Sequence, residues 1–170
     1  FSVMAAACLA HMLQRQKDAV SLCTFAETIT LQTPVKSTPS HVHKLFGHLQ
    51  NLLGTPPPRQ RTGVAEVIHQ LAEQIHKRSL VVIFSDMFED ISHADRIFSA
   101  LQHLKHNQHE VLLFHVTDKK TEEDFDFAER PYEFIDLETN DRVRVQPSQI
   151  RDHYQTALRQ FYHDLKLKCG

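Results

Sequence analysis

Leu80-Val81-Val82-Ile83-Phe84-Ser85-Asp86 is the stretch on which the fold turns. Leu80 to Phe84 is an unbroken apolar run in a chain with 24% charged residues, so both of its faces call for cover. A run this short between two helical patterns reads as a strand buried inside a parallel sheet. Its carboxyl end brings Asp86 to the place where open α/β sheets bind ligands.

Ahead of this run, Thr62 opens a helix in which Val64, Val67, Ile68, Leu71 and Ile75 recur at helical spacing. On the far side, Ser92 and Asp95 have capping-box spacing ahead of a helix bearing Ile97, Phe98, Leu101 and Leu104. Val111 to Val116 then repeats the buried-strand pattern. The β-α-β alternation predicts a mostly parallel sheet with right-handed crossovers and helices on both faces.

The flanks extend this pattern. Phe1, Met4, Ala5, Cys8 and Met12 form one helical stripe ending near Gln16. Ala19 to Phe25 and Thr28 to Leu31 read as an edge hairpin. Ser40 is the expected cap of a helix carrying Val42, Leu45, Phe46, Leu49, Leu52 and Leu53, stopped by Gly54 and Pro56-Pro57-Pro58. The charged stretch Asp118 to Glu129 reads as a solvated connector. Tyr132 to Leu137 and Arg142 to Val145 read as strands around a turn at Glu138 to Asp141, and Pro147 starts a last helix.

The 170 residues fit a single domain over 1–170. A helical pattern already running at Phe1, and another reaching almost to Gly170, suggest a segment cut at its front and open to truncation at its end. A formal charge of -2 without a long Lys/Arg block argues against nucleic acid. No apolar run approaches the ~20 residues of a membrane span. Cys8, Cys23 and Cys169 are too scattered for a metal knuckle or redox pair, which predicts a reducing, cytoplasmic setting.

Asp86 and Thr62 are the candidate metal ligands. A carboxylate and a hydroxyl converging from two loops suit the oxygen coordination of Mg²⁺, with Glu89 and Asp90 adding acid nearby. The plainer alternative makes Asp86 a turn former and Thr62 a helix cap. His103 and His106, three apart on one helix, could present two imidazoles to zinc, or be surface histidines among the 13 present. There is no G-x-S-x-G elbow, and four glycines cannot assemble a dinucleotide fingerprint or a P-loop.

With Arg61-Thr62-Gly63 before one helix, Arg78 to Asp86 after it, and the late Phe134-Ile135-Asp136-Leu137-Glu138-Thr139 segment, the chain resembles the bacterial domain-of-unknown-function family 58. That resemblance implies a von Willebrand factor A-like, Rossmann-like domain encoded beside MoxR-type AAA+ ATPases. It also implies a metal-ion-dependent adhesion site in which Thr62 and Asp86 are ligands, completed by a D-x-S-x-S loop whose place is ahead of Phe1. The first central strand would precede that loop and lie between the Ala19 and Leu80 strands, so either more of the chain or a second copy in a swapped homo-oligomer is expected to fill its slot.

The function so implied is protein binding, divalent-metal-dependent, in company with a MoxR-type ATPase that assembles or matures other proteins, and not catalysis. The rival is a Mg²⁺-dependent phosphohydrolase using Asp86. Against it, the second carboxylate of a D-x-D pair would fall at position 88, which is Phe88.

Overall fold

The computed structural model describes residues 1–54, 63–86, 94–135 and 141–169. In chain order these form α1 (Ser2–Arg15), β1 (Cys23–Phe25), β2 (Ile29–Gln32), α2 (Pro39–Gly54), α3 (Val64–Gln74), β3 (Leu80–Ser85), α4 (Ala94–His106) and β4 (Glu110–His115). A one-turn π-helix at Lys119–Glu123, β5 (Tyr132–Ile135), β6 (Arg142–Val145) and α5 (Pro147–Cys169) follow. The fold is mixed α/β.

The parallel pairing expected of Leu80 and Val111 is present: β3 and β4 run side by side from Leu80↔Glu110 to Ser85↔His115. The sheet is smaller than the mostly parallel one the pattern predicts. Among the described residues the strands form three pairs, with β1–β2 and β5–β6 antiparallel, and no strand lies on the other edge of β3.

The main core lies on one face of β3–β4. Val81, Ile83, Val111 and Leu113 meet α3 through Val64, Ala65, Ile68 and Ala72, and α4 through Ile97, Ala100 and Leu104. Removing these side chains from water is what fastens the two helices to the strands, at ~25 cal/mol per Å² of apolar surface. Asn107 reinforces the α3–α4 seam by donating to the Ala72 carbonyl at 2.8 Å.

The opposite face differs from the expectation of two-sided cover. Leu80 is 47% exposed, Leu112 50% and Phe114 40%. The helices α1 and α2 are engaged elsewhere: Ala10, Val42 and Leu45 bury one another together with Val20, Leu22 and Phe46. His41 of α2 ties this layer to the chain before β1 by donating Nε2–H to the Val20 carbonyl at 3.0 Å, since a carbonyl can only accept.

Local chemistry sets the helix ends. The cap of α2 is Thr38, not Ser40: Thr38 accepts from the amides of His41 and Val42, and Pro39 takes the first helical position, where its missing N–H is not needed. At the end of α4, Gln108 stands at φ 66°, and bonds from the Gln108 and His109 amides to the Lys105 and Leu104 carbonyls close the helix. A left-handed residue with a Cβ costs energy that glycine avoids. Gln108→Gly is therefore expected to stabilise the protein by ~0.5 kcal/mol, read as a rise in the urea midpoint at unchanged slope.

The stretch read as a solvated connector is an element with a core of its own. Asp118 Oδ1 accepts from the Thr121 amide at 2.8 Å and the Thr121 hydroxyl at 2.7 Å, bonds that hold the Asp118 carboxyl below its usual pKa. Phe125 is buried against Tyr154 of α5 (ring centroids 4.6 Å apart) and Phe127, which packs on Phe134 of β5. These rings dock the β5–β6 hairpin onto α5.

Candidate functional site

The carboxyl ends of β3 and β4 carry the chemistry that the sequence singles out. Asp86 follows Ser85 directly, on the surface, where the ladder ends with the Val116 amide donating to the Ser85 carbonyl at 2.9 Å. His115, the last residue of β4, donates Nε2–H to the Asp86 carbonyl at 2.7 Å. The backbone on which the Asp86 carboxylate stands is thus fixed by a neighbouring strand.

His115 joins this corner to α5. Its ring lies 5.2 Å from Tyr162, edge-on, and 5.9 Å from Phe161. Thr117, just beyond, donates to Glu123 Oε1 at 2.9 Å. Glu123, Gln155, Leu158, Arg159 and Tyr162 line a cleft of about 240 Å³. Burial pushes the Tyr162 phenol pKa up, and the charges of Glu123 and Glu122 push it further. Burial likewise raises the Cys23 thiol and so disfavours its reactive thiolate.

Thr62, the second proposed ligand, lies outside the described residues, as do Glu89 and Asp90. Its neighbour Gly63 is described: the Gly63 amide donates to the Ala26 carbonyl at 3.0 Å. A Cβ on Gly63 would stand 2.8 Å from the Glu27 carbonyl oxygen. The chain entering α3 is thus pressed against the tip of the β1–β2 hairpin, and only glycine fits there. Among the described residues no three His, Cys, Asp or Glu side chains group to hold a metal ion. Asp86 supplies a single carboxylate, too few ligands by itself to hold Mg²⁺.

The histidines combine differently from the expected pair. His103 turns to α3, where its Nδ1 lies 3.0 Å from His69 Nδ1 and its Nε2 lies 2.8 Å from Glu73 Oε1, while His106 is exposed. His115 and Tyr162 escaped the sequence reading. The one signal for His115 is a titratable residue closing an apolar strand, and for Tyr162 there is none beyond helical spacing.

An α/β protein that presents an acidic residue on the tip of a parallel strand is the class that fold and corner define. Within that class, a family model described as Protein of unknown function DUF58 matches residues 1–163, and the chain belongs to that family. No curated protein and no solved structure matches it.

Proposed function

We propose that the chain is a protein-binding module of the von Willebrand factor A kind, working beside a MoxR-type AAA+ ATPase in the assembly or maturation of other proteins. The observation that carries this reading is Asp86, exposed on the tip of β3 beside the stacked rings of Phe84 and Phe114, 4.9 Å apart. An exposed acidic residue close along the chain to partly exposed apolar side chains suits a protein partner, which can cover the apolar surface and contact the acid at once.

Divalent metal enters through the family resemblance, with Asp86 and Thr62 as its ligands. The described residues alone do not make a Mg²⁺ site, so metal dependence is a matter for titration. Binding of the MoxR-type ATPase is measured by calorimetry in Mg²⁺ and in EDTA. Asp86→Ala is expected to weaken binding at least tenfold, of the order of 1.4 kcal/mol. Equal affinity in Mg²⁺ and EDTA removes the metal, and wild-type affinity in Asp86→Ala removes the site. Hydrolysis of a phosphate ester that Asp86→Asn abolishes would replace the binding module with the phosphohydrolase.

A further inference from the structure

We propose that His69 and His103 form a binding site for a divalent transition ion of the zinc class, bridging α3 and α4. The two Nδ1 atoms are 3.0 Å apart. With metal–nitrogen bonds of ~2.05 Å, two imidazoles on one ion stand ~2.9 Å apart at a right-angled bite and ~3.3 Å apart at a tetrahedral one, so the backbones already hold the pair at ligand spacing. In the metal-free pair His69 Nδ1–H donates to the His103 Nδ1 lone pair; an incoming ion displaces that proton to His69 Nε2 or to solvent, and rotating the rings about their Cβ–Cγ bonds turns the two freed lone pairs toward a shared point.

Glu73 supplies the second argument. It sits one turn after His69 on α3, and its Oε1 lies 2.8 Å from His103 Nε2. A carboxylate accepts from that nitrogen, which leaves His103 Nδ1 as the lone-pair atom, the one aimed at His69. Carboxylates in this position orient metal-binding histidines and raise their basicity. Imidazole pairs select the borderline ions zinc, copper and nickel over Mg²⁺ or Ca²⁺, which prefer oxygen.

Both rings are half-buried at the helix seam, and His69 also lines a cleft of about 310 Å³ with Glu66, Asp95, Arg96 and Ser99. His103 does not line that cleft, but both rings are partly exposed, so water or a partner's ligand can reach the ion to complete the shell. With two protein ligands the site is open and exchangeable, unlike a closed structural zinc site. Without metal, the same atoms make the imidazole–imidazole hydrogen bond between the helices.

The test is a titration of the intact protein with Zn²⁺, followed by the ¹⁵N resonances of the histidine rings. The first equivalent is expected to shift His69 and His103 Nδ1 before any other histidine. In calorimetry, His69→Ala and His103→Ala each lose at least tenfold in affinity, Glu73→Gln loses ~10-fold, and His106→Ala matches wild type. Overturning results are a first equivalent that shifts other histidines and leaves these two unmoved, absence of Zn²⁺ binding, or wild-type affinity in both alanine variants. The ring resonances decide the matter in the unmutated protein, so a variant that failed to fold would not shield the proposal. None of these outcomes bears on Asp86.

Discussion

Leu104→Ala is expected to lower the stability of the protein by ~3 kcal/mol, with a fall in melting temperature of ~6–12 °C. Leu104 is 1% exposed and closes the core where α4 meets α3 and the inner face of β3–β4. Its neighbours Ala72 and Ala100 cannot grow to fill the space left behind, and Ile68, Ile83 and Ile97 are held by their own helices and strand. The lost transfer energy is therefore joined by the energy of a cavity, which places the change in the upper part of the range for single substitutions. Leu112→Ala makes the comparison: on the open face, half-exposed, it is expected to change stability by less than ~1 kcal/mol. Equal losses at the two positions, by urea denaturation, would mean that the outer face of β4 is as closely packed as the inner.

Gly63→Ala is expected to destabilise by ~1–3 kcal/mol although it adds only one methyl group. The new Cβ would meet the Glu27 carbonyl oxygen at 2.8 Å, and backbone stands on both sides of that contact. A flexible side chain could swing away, but a hairpin tip held by the Gly63–Ala26 hydrogen bond cannot. Relief comes by moving the hairpin or the segment leading into α3, which contains Thr62. A denaturation midpoint at the wild-type value would show that the hairpin and α3 are not held together as described. On the reading that Thr62 belongs to a metal site, the same substitution also weakens Mg²⁺-dependent partner binding, while Gln108→Gly leaves it unchanged.

The α3-β3-α4-β4 unit was the most legible part of the chain, because periods of 3.6 and continuous apolar runs are direct imprints of packing. Leu80 and Val111 began their strands within a residue of expectation, and the pairing was parallel as their burial pattern required. Extent of the sheet was less legible: an apolar run shows that a strand can be covered, not that cover is present, and Leu112 and Phe114 are as apolar as Leu113 yet stand exposed. The acidic stretch hid Phe125 and Phe127 behind Glu122 to Asp126, since charge averages over a window while a buried ring acts singly. The sequence placed Asp86 at a strand end. It could not foresee His115 or the turn of His103 toward His69, because both depend on which helix and strand become neighbours in space.

The bond from His115 to the Asp86 carbonyl has a thermodynamic corollary for recognition. An acid carried on a wandering loop must surrender conformational freedom whenever a partner seizes it, and that loss subtracts from affinity. Here the main chain beneath the acid is tied in advance to a second strand, so on the proposed binding reading a visitor to Asp86 would meet a preorganised anchor and spend little of the interaction energy on stilling it.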